Sequence, residues 1–527
     1  MSSDTRVLGI EGTAWAASAA VHDAGDGTTH IETDAYQPES GGIDPSEAAE
    51  HMAKSIPEVI ERALSHAEGP IDAVAFSRGP GLGPCLRTVG TAARTLAQSL
   101  DVPLVGVNHM VAHLEIGRHQ SGFDSPVCLN ASGANAHVLG FHNGRYRVLG
   151  ETMDTGVGNA IDKFTRHLGW SHPGGPKVEQ RAEGGEYIDL PYVVKGMDFS
   201  FSGIMSAAKQ AVDDDVPVED VCFSLQENVF AMLTEVAERA LSLTGSDELV
   251  LGGGVGQNDR LRAMLAEMCE ARGAKFYAPE PRFLRDNAGM IATLGATMYE
   301  AGDTIAVEDS RVLPDFRPDQ VPVTWRADES VRRRPPEGRE RQGAEAVVEV
   351  GSARTTKRRV PKPYRHGDLD DRLRRDRTVL EARLTSAARR QGVPTPVVRD
   401  VDLREGTLAL ETVGDADLGA ALSAARVRDV GRHLAALHGA GFVHGDPTTR
   451  NVRVADDRTY LIDFGLGYYT DDAEDYAMDL HVFEQSLDGT ADDPGPLREA
   501  FEAAYADRGD DAVLDRLRAV EGRGRYQ

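Results

Sequence analysis

Six glycine-bearing stretches limit what this chain can fold into: GIEGT (9–13), NASGANA (130–136), DTGVGNAIDKF (154–164), HPGGPKVE (172–179), LGGGVGQN (251–258) and RDNAGMIA (285–292). RVLGIEGT reads as a strand entering a glycine turn, and AASAAVHD as its hairpin partner. PSEAAEHMAKSIPEVIERAL has helical spacing with Ser46 as its cap, and residues 219–244 form a second helical stretch. IDAVAFSRGPGLGPCLRTVGTAARTLAQSL reads as strand, Gly/Pro loop and helix, and VPLVGV as another strand. SPVCLNASGANAHVLGFHNGRYRVLG gives further strands with a turn at Asn143–Gly144, and DELVLGGGVGQNDRLRAMLAEMC is strand, triple glycine, helix. The pattern is α/β, with glycine loops at strand ends, where such sheets bind nucleotides. No internal sequence repeat is visible.

Within that frame stands VGVNHMVAH, residues 105–113. Asn108 can cap a helix beginning at His109, and four residues is about one turn, so His109 and His113 share a face. Two imidazoles so placed either hold one divalent metal or pack as a structural pair. The spacing resembles HExxH, but Met110 stands where a metalloprotease carries its general base.

The chain has 527 residues, which is two or three domains. Composition shifts after about residue 315 into a segment rich in Pro, Arg and Glu that reads as a linker. Lys+Arg 57 against Asp+Glu 84 gives −27, with only eight lysines, a balance we read as adaptation to high salt. Against it, Arg326–Asp400 holds 20 Lys/Arg and 12 Asp/Glu, a local +8 that either meets phosphates or is a solvated face. The four cysteines are far apart and make no disulfide framework or zinc ribbon. Neither a signal peptide nor a spanning apolar run is seen, so a cytoplasmic location is expected.

Beyond the linker come Lys357 after a strand-like run, Glu381 in a helical stretch, FVHGDPTTRNVRV and TYLIDFGLGYY. Lys, Glu, Asp-x4-Asn and DFG in that order form a phosphoryl-transfer set. Lys357 would pair with Glu381 and the ATP phosphates, Asp446 would be the catalytic aspartate, and Asn451 and Asp463 would hold Mg²⁺. The catalytic motif is HGD, not HRD; the glycine-rich loop is reduced to Gly343 in QGAEAV; no APE motif follows.

Taken together, the six loops with the histidine helix between the first two resemble the universal tRNA threonylcarbamoyltransferase family, Kae1 in archaea and TsaD in bacteria. The resemblance spans about residues 5–320. It implies an ASKHA fold, the duplicated actin/Hsp70-like architecture. It makes His109, His113 and Asp286 metal ligands, with Asn130 in place of a tyrosine ligand and able to coordinate through its amide oxygen. The ion would be iron by resemblance, with zinc as the alternative. Asn130, Ala131, Ser132, Gly133 and Ala134 would meet the substrate, threonylcarbamoyl-adenylate, the backbone N–H groups of Ser132 and Gly133 approaching phosphate. Asp162, Gly175, Glu179 and Asn258 match positions that hold ribose and base; taken singly they are surface charge or turn residues.

The C-terminal segment resembles Bud32, the small atypical kinase called PRPK in animals. That implies a small protein-kinase-like α+β domain with Gly343, Ala344, Glu345, Lys357 and Glu381 around ATP and Mg²⁺, working as a kinase or an ATPase. The closing EGRGRYQ resembles that family's basic tail, which touches tRNA, or is a frayed terminus. The expected organisation is a Kae1–Bud32 fusion of the KEOPS complex: residues 1–322, a linker at 323–340, and 341–527. It would transfer threonylcarbamoyl to the exocyclic amine of the adenosine beside the anticodon in tRNAs reading ANN codons. Its expected partners are tRNA, Pcc1, Cgi121 and an upstream enzyme that makes the adenylate. Two other readings stay open: a non-catalytic scaffold with a regulatory kinase, and a metallopeptidase, which the missing glutamate disfavours.

Overall fold

The computed structural model describes residues 5–36, 43–133, 135–142, 144–326, 340–456, 458–491 and 493–523. Ala134, Asn143, most of the expected linker and the end of EGRGRYQ lie outside them. The protein is mixed α/β and divides into two compact units. One runs to Tyr192 and resumes from Ser200 to the linker; the other joins Val193–Phe199 to the chain beyond the linker.

The first unit begins with β1 (Arg6–Glu11), β2 (Ala16–Asp23), β3 (Thr29–Ala35), α1 (Pro45–Leu64), β4 (Ala73–Gly79), α2 (Gly83–Leu100), β5 (Leu104–Asn108) and α3 (His109–Ser121). Then come β6 (Val127–Ala131), β7 (Ala136–His142), β8 (Arg145–Glu151), α4 (Val157–His167) and α5 (Gly175–Ala182). The short strands β9 (Val194–Lys195) and β10 (Asp198–Phe199) group with the other unit. The first unit closes with α6 (Ser202–Asp213), α7 (Val218–Thr244), β11 (Glu248–Gly252), α8 (Asp259–Arg272), β12 (Lys275–Tyr277), α9 (Pro281–Leu284) and α10 (Ala288–Glu300).

Two five-stranded sheets carry this unit, ordered β3-β2-β1-β4-β5 and β8-β7-β6-β11-β12. In each, the leading strand pairs antiparallel with its hairpin partner and parallel with the fourth strand. The backbone is therefore duplicated although the sequence shows no repeat. β1 is buried from Val7 onward and apolar through Ile10, as a strand covered on both faces must be. Helices α1 and α2 cover one face of the first sheet through Met52, Ile56 and Val89. Another apolar cluster joins α3 (Val111, Leu114) and α10 (Met290, Ile291, Leu294) to residues of both sheets. α10 presses on β1 so closely that a Cβ on Gly9 would fall 2.6 Å from the Ala288 carbonyl oxygen.

Helix α1 starts two residues earlier than Ser46 capping requires. Asp44 is the cap, its carboxylate accepting from the N–H of Ser46 and Glu47, because Pro45 supplies the first helical position. Buried acids on α7 are paired: Glu227 takes two bonds from Arg260, at 2.6 and 2.9 Å, and Glu238 one from Arg272. Past the expected boundary at 322, Arg326 still packs on this unit. Its guanidinium meets Glu115 at 3.2 Å and stacks 4.0 Å from the Phe141 ring centre.

The second unit carries β13 (Glu340–Gln342), β14 (Ala346–Val350), β15 (Arg354–Arg359), α11 (Gly367–Arg390), β16 (Val398–Asp402) and β17 (Thr407–Glu411). These strands form an antiparallel sheet, β13-β14-β15-β17-β16, with α11 against it. The chain continues through β18 (Ala416–Asp417), α12 (Ala424–His438), β19 (Phe442–Val443), β20 (Val452–Ala455), β21 (Arg458–Leu461) and β22 (Tyr468–Tyr469). Three helices close it: α13 (Ala473–Asp488), α14 (Gly495–Ala506) and α15 (Asp511–Arg523). Its core is helical, built around Leu434, Leu437, Phe483, Phe501 and Tyr505. All four cysteines are free and buried. Among the described residues no helix is long and apolar enough to cross a membrane.

Candidate functional site

Asn108 ends β5 and caps α3, its side-chain oxygen accepting from Met110 N at 3.0 Å and Val111 N at 3.1 Å. That cap fixes the first turn, from which His109 and His113 project together with ring centres 4.9 Å apart. Asp286 arrives from the loop before α10. Its Oδ1 lies 3.3 Å from His109 Nε2 and 3.4 Å from His113 Nε2. Ligand atoms of the three residues fall within 4.8 Å of one another, a set that can hold a metal ion.

The surroundings fit a cation. Both ring nitrogens of His113 and Oδ1 of Asn130 are buried without a hydrogen-bond partner among the described residues. Glu11, fully buried at the end of β1, reaches His109 Nδ1 at 3.1 Å with one oxygen and accepts from Thr13 N at 2.8 Å with the other. Donation from Nδ1 to a carboxylate turns Nε2 toward Asp286, so loss of the Nε2 proton would leave the tautomer a ligand needs. Burial works against charge on His109, but the Glu11 and Asp286 carboxylates outweigh it and push the imidazole up to about 10. Burial likewise opposes ionisation of Asp286, yet His109 above all, with the His113 ring 3.4 Å away, holds its carboxyl well below the usual range. His113 is shifted down, chiefly by burial.

Strand β11 passes this cluster at Gly252 and Gly253. Gly253 has φ 85°, and a Cβ there would meet the Ala131 carbonyl oxygen at 2.2 Å and Asn130 Oδ1 at 2.7 Å. Gly253 is thus required by close backbone approach to Asn130 and Ala131, whereas a Cβ on Gly252 would be tight and one on Gly254 in ordinary contact. Across from Asn130 on β7 sits His137, buried, with Nε2 3.3 Å from Asn130 Nδ2. Burial, then the nearby His113 and His109, drives His137 down to about 3, so it is neutral at ordinary pH.

The loop after β6 is a tight turn, in which the Ser132 N–H donates to the Asn135 carbonyl at 2.8 Å. The loop docks on α4, where Asn159 N donates to Gly133 O. A Cβ on Gly133 would stand 3.8 Å from the Trp15 indole nitrogen and 3.9 Å from Asn159 Oδ1. Trp15 stacks on His172 with ring centres 5.3 Å apart, and His172 Nδ1 lies 3.2 Å from Asp162 Oδ2. Asp162 Oδ1 accepts from Gly174 N at 2.7 Å, just before Gly175 opens α5. Glu179 on α5 accepts from Asp259 N at 2.9 Å, and Asn258 caps α8 by accepting from Leu261 N. Burial raises the Glu179 carboxyl, with the Asp259 N–H opposing. Trp15 and His172 thus link the expected Gly133 to Asp162, whose bond to Gly174 N leads into Gly175, and Glu179 meets the first residue of the helix that Asn258 caps. Asp162 and Asn258 already have structural work as turn and helix caps.

A second constellation lies within the other unit. Lys357 on β15 meets both oxygens of Glu381 on α11 at 2.9 Å and Asp463 Oδ1 at 2.6 Å. Burial opposes ionisation of Asp463, but Lys357 and then Arg359 hold its carboxyl far below the usual range. Asp463 itself takes φ 66°, a left-handed conformation a non-glycine residue adopts only where its surroundings impose it. Asn451 Nδ2 donates to Asp446 Oδ2 at 3.1 Å. Asp479 on α13 accepts from the N–H of His444 and of Gly445, at 2.6 and 2.8 Å, fixing the backbone that presents Asp446. Gly343 N closes a turn on Ala346 O, and Lys362 Nζ contacts Ala344 O. Glu345 is clasped between Arg365 at 2.9 Å and Arg377 at 2.8 Å.

Sequence reasoning missed Glu11, Trp15, His137, His172 and Asp479. The signal for Glu11 was a lone acid closing an otherwise apolar strand. The others carried none that spacing could reveal.

A family described as tRNA N6-adenosine threonylcarbamoyltransferase, TsaD, matches residues 28–293, a span holding His109, His113, Asn130 and Asp286. A "Probable bifunctional tRNA threonylcarbamoyladenosine biosynthesis protein" of Halobacterium salinarum is 74% identical over 525 residues, covering 99% of each chain. Its namesake in Natronomonas pharaonis is 72% identical over 532 residues, covering 99% of this chain and 100% of that one. That of Methanospirillum hungatei JF-1 is 52% identical over 522 residues, covering 99% of each.

Proposed function

The chain belongs to the tRNA N6-adenosine threonylcarbamoyltransferase family, in the bifunctional form its relatives match end to end, and from that premise we propose a two-part activity. The first unit transfers threonylcarbamoyl from threonylcarbamoyl-adenylate to the exocyclic amine of the adenosine beside the anticodon, in tRNAs reading ANN codons. The amine nitrogen bonds to the carbamoyl carbon, the bond from that carbon to the phosphate oxygen breaks, AMP leaves and the amine loses a proton.

The observation carrying this reading is the convergence of His109, His113 and Asp286 beside the glycine loops. These three, with the Asn130 amide oxygen, hold a divalent metal, iron by family resemblance with zinc the alternative. Such an ion supplies positive charge next to the adenylate, where negative charge grows as the amine attacks. Glu11 fixes the His109 ring with Nε2 turned toward that position. Gly133 and Gly175 let backbone approach the nucleotide, while Asp162 and Glu179 offer carboxylate oxygens to ribose hydroxyls. No residue is assigned as the base that takes the amine proton.

The second unit acts as a small kinase or ATPase serving the transferase. Lys357, held by Glu381, binds the ATP phosphates; Asn451 and Asp463 hold Mg²⁺; Asp446 receives the nucleophile's proton; Gly343, Ala344 and Glu345 form the loop over the nucleotide. Pcc1, Cgi121 and an adenylate-making enzyme complete the assembly with tRNA.

Mass spectrometry of nucleosides from tRNA incubated with the protein, those partners, threonine, bicarbonate and ATP tests the transferase. Wild type should yield threonylcarbamoyladenosine and His109→Ala none. Equal product from both would replace the enzyme by a non-catalytic scaffold.

A further inference from the structure

Asn130 is an amide where the fold brings three ion-pairing ligand groups together, and an amide has two ends of opposite polarity. Its oxygen can face a cation; its N–H end would repel one. A phenol at this position would face no such choice, so something must decide which end of Asn130 turns inward.

His137 occupies the position that decides. It lies directly across the antiparallel β6–β7 pair from Asn130, and opposed residues share one face of a sheet. That face looks toward α3: a Cβ on Gly252 would lie 3.3 Å from Asn130 Oδ1 and 3.4 Å from His113 Cβ. Asn130 is 2% exposed, and its Oδ1 has no hydrogen-bond partner among the described residues. Its other end is engaged, with Nδ2 3.3 Å from His137 Nε2. His137 is also 2% exposed, so it is withdrawn from bulk solvent. Leaving a buried amide oxygen unmatched is unfavourable, while pairing only the N–H end fixes which way the oxygen points.

We propose that His137 is a positioning residue of the metal centre: its Nε2 accepts the Asn130 Nδ2–H and so aims the amide oxygen at an ion held by His109, His113 and Asp286. This rests on the ion-site reading above and assigns His137 no contact with ion or substrate. On the far side, Glu151 of β8 stands opposite His137 and completes a polar row across three strands.

The test uses the full chain, stripped of metal with a chelator and titrated with Co²⁺, whose visible absorption reports its ligands. His137→Leu should weaken Co²⁺ binding about ten-fold and shift the absorption bands, the scale of a lost supporting hydrogen bond. His137→Gln, which keeps an acceptor oxygen, should retain most of the affinity and the wild-type bands, and it remains informative if the leucine variant fails to fold. Asn130→Asp has oxygen at both ends, so adding His137→Leu to it should cost nothing more. Wild-type affinity and spectrum in His137→Leu would overturn the proposal, as would an equal loss in the Asn130→Asp background. His109→Ala separates the two claims. Undiminished Co²⁺ binding there would bring down the ion-site reading itself, whereas failure confined to the His137 variants leaves that reading intact.

Discussion

Glu11 Oε2 and His109 Nδ1 meet at 3.1 Å although 98 residues separate them in the chain. One closes the leading strand of the first sheet and the other opens the helix after its last strand. The contact fixes the ring so that its outer nitrogen faces Asp286.

Glu11→Gln should therefore lower divalent-metal affinity about 10-fold or more, with the fold retained. Gln can still accept from Nδ1, so Glu11→Ala should be the weaker binder of the two. Calorimetric titration of the stripped proteins checks both the size and the order.

Asp463→Ala should abolish ATP turnover, and Glu381→Gln should reduce it by loosening Lys357, which both carboxylate oxygens now hold at 2.9 Å. Phosphate release under steady-state conditions is the measurement. Undiminished turnover in Asp463→Ala would refute the assignment of the second site.

Arg326→Met should destabilise the first unit by about 3 kcal/mol, since it leaves Glu115 buried with one charge partner fewer. The figure is the low end of what breaking a buried pair costs, because Arg118 and Tyr146 still bond Glu115. Chemical denaturation compares the two proteins.

Asp154 gives a pH dependence. Burial would raise its carboxyl, but bonds from Ser200 and Ser202 at the start of α6 outweigh that and lower it below the ordinary 3.8. A lowered carboxyl contributes stability that is complete above 3.8 and is lost as pH falls through the lower native value. Thermal melts below pH 4 should fall less steeply in Asp154→Asn than in wild type.

A net charge of −27 predicts that the melting temperature rises with KCl between roughly 0.1 and 1 M, as the screening length shrinks from about 10 to about 3 Å. A flat melting temperature across that range would show that self-repulsion is not limiting.

His109 and His113 were legible because a helical turn and an asparagine cap are local facts. Asp286 was reachable only through resemblance, since 173 residues separate it from His113 and nothing in its own loop says where it goes. Asp44 and Ser46 are both able to cap, and Pro45 between them decides the helix start through a fixed φ that composition does not weigh. The duplicated sheet order stayed hidden because strand pairing constrains burial and register, which many unrelated apolar residues satisfy. His137 and Glu11 owe their roles to partners on neighbouring strands, and periodicity along one strand cannot name those.

The duplicated backbone carries one more implication. Glu11 and His109 belong to the leading strand and the last junction of the first copy; Asn130 and Asp286 hold the corresponding places in the second. An ion held as proposed, by His109 from one copy and Asp286 from the other, would be a clasp across the internal pseudo-symmetry. Its removal should slacken that joint first, while the apolar cluster common to both sheets keeps the copies together.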